Sequence, residues 1–119
     1  MNFYNTLFDS GASESFMLEK YAKKLAHLEM LPEPIELATA SEGTFMKATH
    51  RIVVDFYIND IRLSDEFLVL PNLTEDVVIG ATTLQKWRIK LNFDIDDVEI
   101  PEALKGIKKV VQLKAIRGK

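Results

Sequence analysis

The stretch that decides the fold of this chain is Leu7-Phe8-Asp9-Ser10-Gly11-Ala12-Ser13. Apolar and aromatic residues from Asn2 to Phe8 predict a short strand, and the small, turn-forming residues after it predict that this strand ends at Asp9. The strand would fix the backbone of the carboxylate, and glycine would allow a substrate to approach closely. The segment is therefore a candidate catalytic loop, although Asp-Ser-Gly alone is also ordinary turn chemistry.

A second apolar segment lies far downstream and ends in glycine: Asp76-Val77-Val78-Ile79-Gly80. Its three consecutive aliphatic residues predict a short buried strand. Residues 82–86 can form one or two helical turns, and Ile89 and Leu91 lead a final strand into Phe93. Gly80 would permit close packing between the short strand and a neighbouring element.

Between these segments, Glu14 to Met30 carries apolar residues at helical spacing, so we expect one substantial helix there, capped by Ser13. Pro32 and Pro34 would close this stretch. The next segment, from Ile35 to Ile52, predicts a hairpin whose exposed tip is formed by Ser41, Glu42 and Gly43.

The strongest strand signal is the alternation of apolar and polar residues from Ile52 to Ile58. Asn59 and Asp60 would then turn the chain, and the residues from Ile61 to Leu70 would return it as a second strand. Together with the other predicted strands, this long hairpin predicts an all-β or β-dominated fold.

Composition excludes several classes of function. The length of 119 residues corresponds to one domain, and the absence of cysteine excludes disulfide scaffolds, thiolate-bound zinc and cysteine nucleophiles. Only His27 and His50 are present, which excludes a His-rich metal site, and a net charge of −3 argues against nucleic acid as the main partner. No apolar run approaches the ~20 residues that span a bilayer, and the N-terminus does not resemble a signal peptide. We therefore expect a cytoplasmic protein.

The order and spacing of the two segments resemble the two signatures of the retroviral-type aspartic proteases, or retropepsins. The resemblance covers roughly Phe3 to Phe93 and includes the helix after the first signature, a flap at Ala38 to Gly43 and the long hairpin from Ile52 to Leu70. It implies a small, closed, barrel-like acid protease fold. We expect this protease domain to span residues 1–93 and a charged C-terminal extension to span residues 94–119.

The resemblance also implies a function and a set of site residues. Asp9 would be catalytic, and a homodimer would bring two Asp9 side chains together to activate a water that hydrolyses a peptide bond. Peptide or protein would be the substrate, with no metal or cofactor. The active site would be supported by Ser10, Gly11, Ala12, Ile79 and Gly80, and the flap would be formed by Ser41, Glu42 and Gly43.

The sequence departs from the retropepsin pattern in two respects that bear on the dimer interface and therefore on activity. Members often end soon after the strand that matches Leu91 to Phe93 and joins the dimer sheet, whereas this chain continues as a charged tail. Members carry an extra strand or hairpin before the catalytic motif, whereas eight residues precede Asp9 here, so we expect a shortened leading strand. An alternative function is therefore a catalytically inactive, protease-like module that binds peptides or dimerises. A β-rich nucleic-acid binder gains only from the lysine-rich end of the chain, where a solvated face is the simpler interpretation.

Overall fold

The structure is a computed structural model, which describes residues 1–38, 45–92, 97–99 and 113–118. Strands dominate this part of the chain, so the predicted β-dominated fold is confirmed. The elements are, in order, β1 (Asn2–Phe3), β2 (Thr6–Phe8), β3 (Phe16–Leu18), α1 (Glu19–Leu25), β4 (Glu29–Ala38), β5 (Phe45–Ile58), β6 (Ile61–Leu70), β7 (Val77–Ile79), α2 (Ala81–Lys86), β8 (Lys90–Asn92), β9 (Asp97–Glu99) and β10 (Leu113–Gly118).

Eight of the described strands form one sheet, in the order β1-β10-β5-β6-β3-β7-β2, with β4 paired to β5 beside this path. Strands β8 and β9 form a separate antiparallel pair. The order begins at β1 and ends at β2, and no pairing among the described residues joins these two strands. The sheet is therefore open, where the sequence analysis expected a closed barrel.

The centre of the sheet is the long strand β5, which has 14 residues. It pairs with β6 over residues 50–58, with β4 near its start and with β10 near its end. Its alternating residues Ile52, Val54, Phe56 and Ile58 are all fully buried. The ring of Phe56 packs edge-on against Phe67 of β6 at 5.3 Å between centroids, so this pair of strands forms the middle of the core.

The predicted turn at Asn59 and Asp60 is confirmed. Ile58 pairs with Ile61, and the two residues between them have positive φ angles of 49° and 69°. Two-residue hairpin loops of the favoured kind require this backbone conformation, and Asn and Asp tolerate it better than most residues.

The predicted helix from Glu14 to Met30 is wrong in extent. Phe16–Leu18 form β3 instead, parallel to β6 and antiparallel to β7, and α1 is limited to Glu19–Leu25. Pairing with two neighbouring strands buries Met17 completely and outweighs the helical spacing of the apolar residues. The helix cap is Leu18 rather than Ser13.

The segment after α1 is also a strand rather than the end of a helix. β4 begins at Glu29, and the prolines Pro32 and Pro34 lie within it, where its register against β5 shifts between Met30 and Ile35. Prolines are tolerated at such irregularities because they have no N–H to donate to the ladder.

The predicted first strand is divided in two by Tyr4 and Asn5. Its first part, β1, holds Phe3 in the core, where its ring meets Tyr21 of α1 at 5.2 Å. The neighbour of β1 is β10, which lies between β1 and β5 and is antiparallel to both. β10 lies within residues 94–119, which were predicted from the sequence to be a charged C-terminal extension. The division of the chain after residue 93 stays a prediction.

Candidate active site

The candidate catalytic loop follows β2 directly. β2 runs parallel to β7, with Phe8 opposite Ile79, so Asp9 and Gly80 leave the sheet at the same end. The N–H of Asp9 donates to the carbonyl of Ile79 at 2.9 Å, which extends the ladder by one residue. The two segments singled out in the sequence therefore lie side by side.

The carboxylate of Asp9 is half-buried and is oriented by its own loop. Its Oδ1 accepts a hydrogen bond of 2.8 Å from the N–H of Gly11. A Cβ atom on Gly11 would lie 3.1 Å from this oxygen, which explains why the smallest residue fits there. Among the described residues no other group hydrogen-bonds to the carboxylate, so its second oxygen can bind water or a second carboxyl group.

Gly80 makes the closest approach between the two segments. A Cβ atom at this position would lie 2.1 Å from the carbonyl oxygen of Glu14 and 2.9 Å from that of Ala12. Any side chain would therefore push the loop away from the start of α2. The packing role expected for glycine at this position thus has a direct geometric cause.

The loop also caps the short helix α2. Helix N-termini expose N–H groups that need acceptors, and Gly80, the N-cap residue, has no side chain to supply one. The carbonyl of Ala12 accepts from the N–H of Ala81 at 2.6 Å, and that of Ser13 accepts from Thr82 at 3.1 Å. The Thr82 hydroxyl adds a 2.7 Å bond to the same carbonyl of Ser13. These three hydrogen bonds fix the loop against the helix.

A buried pair of hydroxyls lies beneath this contact. The Oγ of Ser15 accepts from the N–H of Gly80 at 3.0 Å and lies 2.6 Å from the Oγ1 of Thr83. Ser15 is 3% exposed and Thr83 is 2% exposed. The sequence analysis missed both residues, since nothing in a single sequence shows which of its many hydroxyls will meet.

The other predicted site residues fall into two groups. Ser10 is exposed beside Asp9, Ala12 is half-buried, and Ile79 is fully buried with its carbonyl turned to Asp9. Ser41, Glu42 and Gly43 lie outside the described residues. The strands on either side of them pair as predicted for a hairpin, with Leu37 opposite Met46.

The described residues contain neither a metal-binding cluster nor a membrane-spanning helix. No three His, Asp or Glu side chains in this part of the chain are grouped so that they could hold a metal ion. None of its helices is long and apolar enough to cross a membrane.

The fold and the two paired segments are those of a retropepsin-like protein. Residues 2–104 match the family model of the retroviral aspartyl proteases, and the chain belongs to this family. Among solved structures, it is similar to the retroviral protease-like domain of Ddi1 from Leishmania major, with a TM-score of 0.63 and 14% identity. That match covers 93% of this chain and 82% of the other, and at this identity it shows the fold alone. A comparison with curated proteins found no match.

Proposed function

We propose that the chain is an aspartic endopeptidase, with an active site formed by one Asp9 from each chain of a homodimer. The observation that carries this proposal is the placement of the Asp9 carboxylate, which is half-buried at the end of β2 and oriented by the N–H of Gly11. Membership of the retroviral aspartyl protease family supports it. Each chain carries one Asp-Ser-Gly motif, so a two-aspartate site needs two chains.

The mechanism follows from the chemistry of two neighbouring carboxyl groups. Across a twofold axis the two Asp9 side chains share one proton, because like charges a few Å apart do not both ionise easily. The ionised member removes a proton from water, and the resulting hydroxide attacks the peptide carbonyl carbon. The protonated member stabilises the developing oxyanion. A proton then passes to the amine as the carbon–nitrogen bond breaks.

We further propose that the β4–β5 hairpin is a flap over the bound peptide. Its two strands pair up to Ala38 and Phe45. Hairpins that extend beyond the core are typical lids, because few contacts hold them down. Ser41, Glu42 and Gly43 would then contact the substrate.

Cleavage of a peptide mixture, followed by mass spectrometry, tests this function directly. We expect the wild-type protein to generate new termini and Asp9→Asn to generate none while it unfolds at the same temperature. Asp60→Asn makes the same chemical change at the β5–β6 turn, where Asn tolerates the positive φ angle, and should cleave normally. A wild-type protein that binds peptides without cleaving them would favour the inactive, peptide-binding module instead.

The dimer is tested separately by dilution. If two chains form the site, specific activity falls as the protein is diluted through its dissociation constant. Sedimentation at the same concentrations should show the dimer disappear in parallel. Constant specific activity from a protein that sediments as a monomer would contradict the shared site.

A further inference from the structure

Strand β6 breaks its own apolar alternation at Asp65. Its other residues on that face are all apolar and buried: Ile61, Leu63, Phe67 and Val69. Asp65 shares their face, because alternate residues of a strand point to the same side of the sheet. In register it lies opposite Val54, which is fully buried. A carboxylate therefore occupies a position for which the strand pattern predicts an aliphatic residue.

The carboxylate of Asp65 is buried but incompletely paired. Asp65 is 9% exposed, and its Oδ1 accepts a hydrogen bond of 2.8 Å from the N–H of Glu66. The same oxygen lies 3.6 Å from the Nζ of Lys86, the last residue of α2, which is its ion-pair partner. Its Oδ2 is buried and has no hydrogen-bond partner among the described residues. The indole N–H of Trp87, the residue after Lys86, is likewise buried without an acceptor in this part of the chain.

This arrangement contributes little to stability. A buried charge loses its hydration, and an ion pair replaces that hydration fully only if its geometry is good and its remaining lone pairs are hydrogen-bonded. The side chain of Lys86 is 53% exposed, so solvent screens its attraction for Asp65. Residues that break the pattern of their own strand are expected at functional sites. The contact between Asp65 and Lys86 therefore indicates a role beyond the stability of the core.

The helix to which Lys86 belongs is held at both ends. Its first turn is joined to the candidate catalytic loop by the N–H groups of Ala81 and Thr82, which donate to the carbonyls of Ala12 and Ser13. Its last residue is joined to β6 by the ion pair with Asp65. α2 has six residues, and isolated helices shorter than about 12 residues are marginal in water. Contacts with other elements therefore determine where this helix lies.

We propose that Asp65 is a positioning residue for the candidate active site, which holds α2 through Lys86 and so fixes the loop that orients Asp9. The inference rests on the proposed peptidase function and adds to it a residue of a different strand. The pair of Arg62 with Asp55 provides a matched control. It also joins a buried carboxylate to an exposed cation, but it connects β5 with β6 and does not involve α2.

Two substitutions separate this role from a contribution to stability. Asp65→Val removes the buried charge and restores the apolar alternation of β6. Lys86→Gln leaves the charge buried and removes its partner. Lys86→Arg keeps a cation at this position, and Arg62→Gln removes the cation of the control pair. If Asp65→Val does not fold, Asp65→Asn repeats the activity and exchange measurements, because its side-chain oxygen can still accept the N–H of Glu66.

We expect the two substitutions to move the Tm in opposite directions and the activity in the same direction. Asp65→Val should keep or raise the Tm, because replacing a buried ion pair by an apolar residue is often neutral or stabilising. Lys86→Gln should lower the Tm, because it leaves a buried carboxylate without its cation. Both should lower kcat/KM by about three- to five-fold, the range for a partly exposed ion pair. Sedimentation at the assay concentration checks that every variant is assembled like the wild type.

The two remaining variants should keep the activity. Lys86→Arg should retain most of kcat/KM, because the cation is still present. Arg62→Gln should lower the Tm, as Lys86→Gln does, and leave kcat/KM unchanged. A residue that merely stabilised the fold would instead make kcat/KM follow the Tm in every variant.

A second measurement does not require cleavage. Hydrogen exchange at the amides of Ala81 and Thr82 reports whether α2 still holds the catalytic loop. Asp65→Val and Lys86→Gln should both speed this exchange by about three- to five-fold, again the range for a partly exposed ion pair, and Arg62→Gln should not change it.

Unchanged exchange at these two amides in both Asp65→Val and Lys86→Gln would overturn the proposal. So would unchanged kcat/KM in both, or activity that follows the Tm in every variant, and either result would leave the peptidase function standing. Faster exchange in a protein whose wild type cleaves no peptide would support the contact between Asp65 and the loop and contradict the peptidase function. The two proposals can therefore fail separately.

Discussion

The hydroxyl of Ser15 lies 2.6 Å from the hydroxyl of Thr83, across 68 residues of sequence. Both groups are buried, and the Ser15 oxygen also accepts the N–H of Gly80. The contact therefore ties the end of the candidate catalytic loop to the first turn of α2. Because that loop also orients Asp9, the hydroxyl pair contributes to the stability of the site as well as to that of the fold.

Removal of either hydroxyl should lower the free energy of unfolding. Ser15→Ala leaves a buried Thr83 hydroxyl and the N–H of Gly80 without an acceptor, so we expect the free energy of unfolding to fall by about 1–3 kcal/mol. Ser13→Ala is the matched control, since the side chain of Ser13 is exposed and it is the backbone carbonyl of Ser13 that accepts hydrogen bonds from α2. It should stay within about 0.5 kcal/mol of wild type. Urea unfolding measures the free energy of unfolding of both variants.

The double variant makes the coupling measurable. In Ser15→Ala with Thr83→Val, no hydroxyl is left unpaired, so the combined loss should be smaller than the sum of the two single losses. Strict additivity would mean that the two hydroxyls do not interact in solution.

The two glycines of the site should respond differently to alanine. Gly80→Ala places a Cβ atom 2.1 Å from a backbone oxygen, and backbone cannot rotate away, so we expect a loss of about 3 kcal/mol or more in the free energy of unfolding. Gly11→Ala places its Cβ atom 3.1 Å from the carboxylate of Asp9, a side chain that can shift. We expect Gly11→Ala to keep its stability and lose cleavage activity. Thermal unfolding of the two variants side by side checks the contrast, and equal losses of stability would contradict it.

Features set by local chemistry could be predicted from the sequence. The turn at Asn59 and Asp60 follows from two residues that tolerate positive φ angles. The strand β7 and the close approach at Gly80 follow from three aliphatic residues that end in glycine. In each case the residues that carry the signal are neighbours in the chain.

Features set by distant partners could not be predicted. Phe16, Met17 and Leu18 suit a helix or a strand equally well, and only their pairing with β6 and β7 decides between the two. The left-handed backbone of Arg88 was also missed, because the end of α2 lacks the glycine that usually marks this conformation. The placement of Ser15 against Thr83 depends on the parallel pairing of β2 with β7, which no local pattern records.

The ion pair between Arg62 and Asp55 should matter more than the ion pairs of Arg51. The Asp55 side chain is 4% exposed, although that of Arg62 is 60% exposed. The side chains of Arg51 and its partners Glu29 and Glu66 are all more than 40% exposed, so this second group includes no buried charge. Solvent screens the second group, and the pairing of a buried carboxylate offsets a larger desolvation cost. Arg62→Gln should therefore lower the Tm more than Arg51→Gln. Calorimetry in low and high salt checks this, since the effect of Arg51→Gln should fade more with salt than that of Arg62→Gln.

The effect of pH on the stability that the Arg62–Asp55 ion pair contributes has a definite sign. A hydrogen bond to Asp55, with added Coulombic attraction, raises the pKa of Arg62 above its ordinary value. A raised pKa of a cationic group means stability that is present below the unfolded-state pKa and is lost only as pH rises through the folded-state pKa. For arginine that window is far alkaline. The Tm difference between Arg62→Gln and wild type should therefore be unchanged from neutral to mildly alkaline pH, and a difference that vanishes there would contradict the assignment.

The pH profile of cleavage provides the last test of the proposed dyad. Two Asp9 carboxyls that share one proton are competent only while exactly one proton is present, so activity should be highest on the acid side of neutrality. It should fall as pH rises, because the pair becomes doubly ionised, and again in strong acid, because both members become protonated. The measurement is kcat/KM for one peptide across this range, with sedimentation at each pH to confirm that the dimer persists. An alkaline optimum from an intact dimer would contradict the shared proton, whereas loss of activity in step with loss of the dimer would point to assembly rather than to the dyad.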